Sequence, residues 1–290
     1  MKFTKMHGCG NDYVYINGFE EKIDNKPEFV KAVSDRHFGV GGDGAIFINP
    51  SDVADFEMEM YNADGSRAEM CGNGIRCVAK YVYDHKMTDQ KTITIVSAGK
   101  VKTLELTVEN DLVSKVRVDM GEPILEPNQV PVVSDKNQVV SEQIEVLGDT
   151  YHMTCVSMGN PHAVIFLNAG EDKGKLSWAT TETLEIEKIG PSFENHPVFP
   201  KRTNTEFVEI VDESHVNMRV WERGTGETLA CGTGCSATAV ACVLNGLTNR
   251  KIKVSVLGGE IDIEWDEQTN HVFMTGPATT VFEGEFPWEN

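Results

Sequence analysis

The sequence predicts an α+β protein made of two similar halves. Short segments with alternating apolar and polar residues recur along the chain, and this period of two is typical of half-buried β-strands. The segment Ala54–Tyr61 is the clearest, with Phe56 and Met58 on one face and Glu57 and Glu59 on the other. Helix candidates are few, so strands should form most of the regular structure.

Further strands are expected where the same pattern returns, at Thr92–Ser97, Lys102–Thr107, Val113–Asp119, His162–Leu167, Glu206–Val211, Val216–Trp221, Lys251–Val256 and Glu260–Trp265. Two ordinary helices are predicted at Pro27–Arg36 and Ser177–Ile189, the second opening with a serine that can act as an N-cap.

Two more helix candidates each follow a glycine-rich turn that opens with a cysteine. They are CGNGIRCVAKYVYDH, from Cys71 to His85, and CGTGCSATAVACVLNG, from Cys231 to Gly246. Each reads Cys-Gly-Asn/Thr-Gly and continues with small or apolar residues, and about half the chain separates the two cysteines. This weak repeat indicates two similar lobes that each present one cysteine at a helix N-terminus.

A boundary between the lobes is expected between Val118 and Val130, where MGEPILEPNQVP concentrates glycine and proline. We therefore expect an N-terminal lobe of residues 1–118 carrying Cys71 and a C-terminal lobe of residues 119–274 carrying Cys231. Strand candidates near 275–290 are expected to return to the first lobe. The active site is expected in the cleft between the lobes.

Composition and charge exclude several function classes. Lys and Arg number 26 against 45 Asp and Glu, a formal net charge of −19. Such a surface repels phosphate backbones and anionic lipid, so nucleic-acid and membrane partners are not expected. The start MKFTKMHGCGNDY has no apolar core typical of a secretory signal. Seven cysteines, an odd number, then favour reduced thiols and a cytoplasmic location.

Cysteines at two helix N-termini are suited to proton transfer. The positive end of a helix stabilises a thiolate and lowers the pKa of a thiol there. The glycines of the motifs, Gly72, Gly74, Gly232 and Gly234, let backbone N–H groups approach a bound carboxylate closely. One cysteine, as thiolate, can remove the α-proton of an amino acid while the other, as thiol, delivers a proton to the opposite face.

Other roles for the cysteines fit the residue pattern less well. Cys9, Cys77, Cys155, Cys235 and Cys242 are interpreted as packed apolar residues. A zinc site from Cys71, Cys77, Cys231 and Cys235 has spacings unlike zinc knuckles, so no metal is expected. A redox dithiol is a closer alternative. The run GVGGDG at Gly39–Gly44 lacks the Lys-Ser/Thr ending of a phosphate loop.

Six segments together resemble the diaminopimelate epimerase family. They are KMHGCGNDYV (5–14), DRHFGVGGDG (35–44), MYNADGSRAEMCGNGIRC (60–77), GNPHAV (159–164), RTNTEFV (202–208) and WERGTGETLACGTGC (221–235). The resemblance implies interconversion of LL- and meso-diaminopimelate without pyridoxal phosphate, metal or other cofactor, on the route to lysine and peptidoglycan. It implies two domains, each a curled, barrel-like sheet around a central helix. It also implies a homodimer acting on a small-molecule substrate.

The resemblance also assigns site residues by position. The catalytic residues it implies are Cys71, Cys231, His162 and Glu222. The substrate-binding residues it implies are Asn11, Asn62, Gly72, Asn73, Asn160, Asn204, Glu222, Arg223, Gly232 and Thr233. Where some members carry a glutamine that touches substrate, this chain has Gly44, so that contact must be missing, water-mediated or supplied by another group.

The residue chemistry suits a substrate with charges at both ends. An asparagine amide both donates and accepts hydrogen bonds, Arg223 can bind a distal carboxylate, and Glu222 can meet an ammonium group. A proline or hydroxyproline racemase is the alternative enzyme, although its substrate would leave Arg223 unpaired in a closed pocket. A non-enzymatic thiol or metal-binding protein is the alternative outside enzymes.

Overall fold

The structure is a computed structural model that describes residues 1–68, 70–167 and 179–289. The chain divides into two units by its internal contacts. Unit 1 contains Met1–Asp119 and Thr275–Asn290, and unit 2 contains Met120–Met274. Unit 2 is one continuous stretch of chain, whereas unit 1 is assembled from both ends of the sequence.

The regular structure of the described residues consists of eighteen strands and four helices. The strands are β1 (Lys2–Gly8), β2 (Asn11–Asn17), β3 (Gly44–Asn49), β4 (Phe56–Asn62), β5 (Arg67–Ala68), β6 (Thr92–Ser97), β7 (Lys100–Glu109), β8 (Leu112–Gly121), β9 (Glu142–Val146), β10 (Asp149–Ser157), β11 (Pro161–Phe166), β12 (Asn204–Asp212), β13 (His215–Glu222), β14 (Gly226–Thr228), β15 (Lys251–Val256), β16 (Gly259–Trp265), β17 (Val272–Pro277) and β18 (Thr279–Glu285). The helices are α1 (Lys26–Ser34), α2 (Gly72–Asp84), α3 (Ile186–Glu194) and α4 (Gly232–Leu244).

The two units repeat one order of elements. In unit 1, α1 connects the parallel strands β2 and β3, and α2 connects the parallel strands β4 and β6. In unit 2, α3 connects the parallel strands β11 and β12, and α4 connects the parallel strands β13 and β15. The middle pairs, β3 with β4 and β12 with β13, are antiparallel. Mixed sheets with helices in their crossovers confirm the predicted α+β class, and the repeat follows the two cysteine motifs.

Helices α2 and α4 are the more deeply buried helices of their units. Every residue from Gly72 to Val82 of α2 is buried, and α4 is buried from Gly234 to Cys242. Helix α2 contacts β1, β2, β6 and β7, while α4 contacts β10, β11, β12, β15 and β16. A helix buried on all its faces needs other elements on more than one side, which these strands supply.

Each unit has its own aromatic core beside its shorter helix. In unit 1, the Phe29 ring of α1 lies edge-on to Phe286 and Trp288, at centroid distances of 6.0 and 5.4 Å. In unit 2, Phe193 of α3 lies edge-on to Tyr151 and Phe207, at 5.1 and 5.5 Å. Such pairs stabilise a core beyond the area they bury.

The helix predicted at Ser177–Ile189 is misplaced. The structure places the helix at Ile186–Glu194, and residues 177 and 178 lie outside the described residues. Thr180 and Thr183 exchange hydrogen bonds between their hydroxyls and backbone N–H groups, Thr180 N to Thr183 Oγ1 at 3.0 Å and Thr183 N to Thr180 Oγ1 at 3.3 Å. Threonine side chains that bond the local backbone compete with helix formation, so residues 180–183 form a turn instead.

Among the residues that the structure describes, no helix is both long enough and apolar enough to cross a membrane.

Candidate active site

The predicted site residues of each unit collect at one edge of its sheet. In unit 1, β2 begins at Asn11 and β4 ends at Asn62, which pairs with Gly44 at the start of β3. Because β4 runs antiparallel to β3, the end of β4 lies beside the start of β3. Helix α2 begins beyond this end of the sheet. In unit 2, β11 begins beside Asn160, β12 begins at Asn204 and β13 ends at Glu222, with α4 following. The repeat therefore explains why the motifs recur at corresponding places.

Cys71 is the N-cap residue of α2. Its backbone is extended, with φ −128° and ψ 116°, and its Sγ accepts a hydrogen bond from Gly74 N at 3.3 Å. The sulfur thus takes the place that a serine or aspartate oxygen usually fills at a helix start. Cys71 is half-buried, whereas the other six cysteines are buried.

A chain of polar contacts leads from the Cys71 sulfur to the surface. The Cys71 Sγ lies 3.1 Å from Asn11 Oδ1, which accepts from the thiol. Asn11 Nδ2 donates to Asp43 Oδ2 at 2.8 Å. Asp43 Oδ1 in turn accepts from Arg36 Nη2 at 2.9 Å. Asn11 is therefore held between a carboxylate and a proposed catalytic sulfur.

The first turn of α2 is held by a completely buried arginine. Arg76 Nη1 donates to Gly72 O at 3.1 Å, and Arg76 Nη2 donates to Asn73 Oδ1 at 2.8 Å. Arg76 Nε also donates to Pro277 O at 3.2 Å. The Asn73 side chain is only 2% exposed and engaged by Arg76, so the predicted substrate contact at Gly72 and Asn73 would have to come from the backbone. In α4, Ser236 Oγ makes the equivalent bond, to Gly232 O at 3.0 Å.

Gly44 occupies a position where no side chain fits. Its φ is +155°, and a Cβ atom built there would lie 1.9 Å from Tyr61 O. The glutamine found here in some family members therefore needs a different local backbone. Neighbouring Asn62 is exposed, and its Nδ2 donates to Ser66 Oγ at 3.0 Å.

Cys231 is the N-cap residue of α4 and is 6% exposed. Its Sγ lies 3.5 Å from Thr233 Oγ1. Burial raises the pKa of the Cys231 thiol well above its usual range, and the nearby carboxylates of Glu222 and Glu206 raise it further. The Thr233 hydroxyl and the Gly234 N–H oppose that rise. The balance of these effects disfavours negative charge on the Cys231 sulfur.

Glu222 lies beside Cys231 at the end of β13. Burial raises the pKa of the Glu222 carboxyl group. Hydrogen bonds from the Thr228 hydroxyl, which donates to Glu222 Oε1, and from the Cys231 thiol lower that pKa.

Arg223, the residue after Glu222, is exposed, and its Nη1 donates to Lys201 O at 3.0 Å. Asn204 fixes this segment, because its Oδ1 accepts from Arg223 N at 2.8 Å and its Nδ2 donates to Pro161 O at 2.8 Å.

A directed hydrogen-bond network runs through unit 2 toward Cys231. His162 Nδ1 lies 2.7 Å from Glu206 Oε1, and His162 Nε2 lies 3.0 Å from Asn160 Oδ1. Asn160 Nδ2 then donates to Thr233 Oγ1 at 3.2 Å, which leaves the Thr233 hydroxyl hydrogen for the Cys231 sulfur. His162, Asn160 and Thr233 can each donate to the next group on the way to Cys231. A network with this direction stabilises negative charge on the Cys231 sulfur.

Three residues that the sequence reasoning did not select belong to these networks: Glu206, Asp43 and Arg76. Glu206 is completely buried, and a Cβ on Gly234 would lie 2.7 Å from Glu206 Oε1. The carboxylate therefore sits directly against the first turn of α4. The sequence predicts a half-buried strand at Glu206–Val211, and Glu206 lies on its inward face. A carboxylate at a buried position needs a partner, so this position could have identified Glu206 as a site residue.

The remaining cysteines behave as packed side chains. Burial raises the pKa of Cys77 to about 11 and that of Cys242 to about 12. None of the seven cysteines, all of which lie among the described residues, forms a disulfide. Within the described ranges, no group of three or more His, Cys, Asp and Glu side chains is arranged to hold a metal ion.

The fold is shared with racemases and epimerases of known structure. A probable proline racemase from Agrobacterium radiobacter K84 has a TM-score of 0.70 and 13% sequence identity, over 99% of this chain and 93% of that one. A hydroxyproline epimerase from Agrobacterium vitis has a TM-score of 0.67 and 13% identity, over 98% of this chain and 90% of that one. At such low identity the similarity is one of fold. By its fold, the chain therefore groups with these two solved structures.

The chain belongs to the diaminopimelate epimerase family. The family model described as diaminopimelate epimerase matches residues 3–126 and 154–281. A diaminopimelate epimerase from Agathobacter rectalis is 59% identical over 292 residues, which cover 98% of this chain and 99% of the relative. Diaminopimelate epimerases from Methanococcus maripaludis strain C5 and Acetivibrio thermocellus are 58% and 55% identical over 285 residues each, again covering 98% of this chain. The family resemblance of the sequence is thus confirmed, and the chain is an isomerase.

Proposed function

We propose that this chain interconverts LL- and meso-diaminopimelate by exchanging the proton on one α-carbon. The reaction serves the synthesis of lysine and of peptidoglycan precursors. The observation that carries the proposal is that each unit places one cysteine as the N-cap residue of a buried helix, in a chain of the diaminopimelate epimerase family.

The chemistry assigned to the two cysteines is proton removal and proton delivery. One sulfur, as thiolate, takes the α-proton, and the electron pair of the C–H bond passes into an enediolate-like carbanion. The other sulfur, as thiol, gives its proton to the opposite face of the carbon, so the configuration inverts. Cys71 and Cys231 exchange these roles in the reverse direction, with each unit contributing one thiol.

The helix N-termini are assigned to the reacting carboxylate. The N–H groups of a first helical turn have no partner within the helix, and the helix dipole makes that end positive. Gly72 and Asn73 of α2, with Gly232 and Thr233 of α4, supply these groups. Donors aimed at a developing oxyanion are each worth about 3–4 kcal/mol of transition-state stabilisation. The carbanion is stabilised in this way by the chain's own residues, and no pyridoxal phosphate or metal is required.

The thiolate of Cys231 needs hydrogen-bond donors that compensate for the energetic cost of its burial. When it transfers its proton, the negative charge appears where burial and two carboxylates oppose it. The donor network from His162 through Asn160 and Thr233 supplies hydrogen bonds toward that charge. This gives His162 the role of supporting the thiolate, with Glu206 holding its other ring nitrogen. The carboxyl group of Glu222, which lies beside Cys231, is assigned to assisting the same proton transfer.

The remaining polar residues are assigned to the charged groups of the substrate. Asn11, Asn62 and Asn160 offer amides at the same strand edges as the cysteines, and Asn204 holds the backbone of Arg223. Arg223 is exposed at the end of β13 and can bind the distal carboxylate, whereas Glu222 can accept from an ammonium group.

The test is an assay of the purified chain with LL-diaminopimelate and, separately, with L-proline, without added pyridoxal phosphate or metal. Turnover of LL-diaminopimelate to the meso form is expected, with no measurable racemisation of proline. Turnover of proline alone would assign the chain to the proline racemases instead. Addition of a chelator should leave the rate unchanged.

We further propose that the enzyme works as a homodimer in the cytoplasm. The support is the family resemblance for the dimer and, for a reducing compartment, seven cysteines outside any disulfide. Light scattering should give a mass of about twice 32.1 kDa, and a monomer at assay concentrations would contradict the dimer.

A further inference from the structure

The run Gly39–Gly44 has no role in the function proposed so far, yet one of its side chains is bonded toward the site. Asp43 Oδ2 accepts from Asn11 Nδ2 at 2.8 Å and from Asp12 N at 3.2 Å. Its own backbone is anchored as well, because Asp43 N donates to Asp12 O at 2.7 Å and Ala63 N donates to Asp43 O at 3.0 Å. Asp43 is therefore fixed in place by bonds at both its backbone and its side chain.

We propose that Asp43 is a positioning residue that fixes the orientation of the Asn11 amide and thereby keeps Cys71 in its thiol form. This inference rests on the proposed function, in which Cys71 is one of the two proton-transferring groups. It concerns the state of that group before substrate arrives.

The argument depends on which atoms can donate. An ionised carboxylate can only accept hydrogen bonds, so the Asn11 amide must turn its NH2 group toward Asp43. The amide is planar, and its oxygen then faces the opposite way, toward the Cys71 sulfur at 3.1 Å. An acceptor at that distance is favourable for an S–H donor and unfavourable for a thiolate. Rotating the amide by half a turn would instead give the sulfur an N–H donor.

The side-chain networks of the two units reach their cysteines through different groups. In unit 1 the carboxylate of Asp43 leads, through Asn11, to an acceptor at the sulfur. In unit 2 the imidazole of His162 leads, through Asn160, to the Thr233 hydroxyl, which lies 3.5 Å from the Cys231 sulfur. Asp43 thus sets Cys71 as a proton donor at rest.

Other charged or titratable groups surround Cys71 within unit 1 and stay unchanged in the test. Tyr15 of β2 and Cys77 of α2 interact electrostatically with it. Arg76 lies one turn along α2, and beyond Asp43 the ion pairs Arg36–Asp12 and Lys5–Asp12 continue the network. On β1, His7 Nδ1 accepts from Gly10 N at 3.3 Å.

The test follows alkylation of Cys71 by iodoacetamide as a function of pH, with the Cys71 peptide quantified by mass spectrometry. Cys71 is the half-buried cysteine among six buried ones, so it is the most accessible thiol. In Asp43→Ala the Asn11 amide is released to donate to the sulfur. A hydrogen bond to a charged group is strong enough to lower the midpoint of alkylation by about one pH unit, a tenfold rise in thiolate below the midpoint.

Two further variants separate orientation from charge. Asp43→Asn loses the charge but retains a carbonyl oxygen for Asn11 Nδ2, so its midpoint should stay close to that of the wild type. Asn11→Leu removes the acceptor from the sulfur directly, and it should lower the midpoint even if Asp43→Ala does not fold. When Asp43→Ala is added to Asn11→Leu, the midpoint of Cys71 alkylation should not shift further. Asp43 acts through Asn11, and that side chain is already absent.

The proposal is overturned if Asp43→Ala or Asn11→Leu leaves the midpoint unchanged. It is equally overturned if Asp43→Asn shifts the midpoint as far as Asp43→Ala, since loss of charge would then be the cause. Alkylation requires no turnover, so these outcomes are independent of the substrate assay. A chain inactive on diaminopimelate but with the expected shifts would refute the proposed function and leave the role of Asp43 intact.

Discussion

His162 Nδ1 lies 2.7 Å from Glu206 Oε1, and both side chains are completely shielded from solvent. The other ring nitrogen of His162 faces Asn160 Oδ1, whose orientation is fixed by the bond from Asn160 Nδ2 to Thr233. Both ring nitrogens of His162 therefore lie within hydrogen-bond distance of a side-chain oxygen. Among the described residues Glu206 Oε2 has no hydrogen-bond partner, so the contact with His162 is the one that holds this buried carboxyl group.

Glu206→Ala should strongly destabilise the protein. Removing one member of a buried hydrogen-bonded pair leaves the other without its partner, and we expect the free energy of unfolding to fall by about 3 kcal/mol. Glu206→Gln keeps an acceptor for His162 Nδ1 and should cost less. The measurement is urea unfolding followed by circular dichroism.

The control for this prediction is Glu105→Ala. Glu105 pairs with Arg117 at the surface, with 56% of its side chain exposed. Its loss should cost less than about 1 kcal/mol. Equal losses in the two alanine variants would mean that the buried pair contributes no more than a surface pair.

Replacing either N-cap cysteine should abolish epimerisation. Cys71→Ala and Cys231→Ala each remove one of the two proton-transferring groups, and the expected loss of turnover is at least about a thousandfold. In heavy water, the wild type should place one deuterium at the α-carbon of the product, detectable by mass spectrometry. Cys242→Ala, on the same helix as Cys231 but deep in the core, is the control and should remain active. Substantial activity in both single variants would contradict the two-thiol mechanism.

Gly44→Ala should destabilise unit 1 because of a direct clash. The added Cβ would lie 1.9 Å from Tyr61 O, and we expect a loss of about 3 kcal/mol or more. Gly99 is the matched control, because its φ is +76° but nothing lies within 4 Å of an added Cβ. Gly99→Ala should cost only about 1 kcal/mol from backbone strain. Thermal unfolding of both variants measures the difference, and equal shifts in Tm would argue against the clash.

Stability should fall steeply at alkaline pH. Burial raises the pKa of Cys77 to about 11 and that of Cys242 to about 12, above an ordinary value of 9.0. In the unfolded chain these thiols ionise first, so their contribution is complete below pH 9 and is lost as the pH rises from 9 toward 11 or 12. Each such thiol lowers the free energy of unfolding by about 1.4 kcal/mol per pH unit in that window. Cys242→Ala should reduce the slope by this amount, as urea unfolding at several pH values can measure; an unchanged slope would contradict it.

The sequence predicted those elements whose pattern is local. Strands β6 and β15 have the predicted bounds, since their residues alternate between buried and more exposed positions. Strand β3 was missed because five consecutive residues are buried, and a strand covered on both faces has no alternation to detect. The starts of α2 and α4 were found from the Cys-Gly-Asn/Thr-Gly motifs alone, because a capping turn is encoded within a few residues.

The candidate site was predictable only in part for the same reason. Glu206 meets His162 because β11 and β12 pair in parallel, with His162 opposite Asn204. No local pattern encodes that register, so the partner of His162 was missed. Asp43 and Arg76 likewise act through contacts between segments far apart in sequence.

The bond from Arg76 Nε to Pro277 O joins residues 201 positions apart. Strand β18, which follows Pro277, pairs along β1. On the ribosome, the whole of unit 2 is therefore available to fold before unit 1 has received its last strand. The helix that carries Cys71 is translated early but gains its complete set of contacts only when residues 275–286 have left the exit tunnel. Until that segment is made, α2 lacks the bond from Arg76 to Pro277 and β1 lacks its pairing with β18.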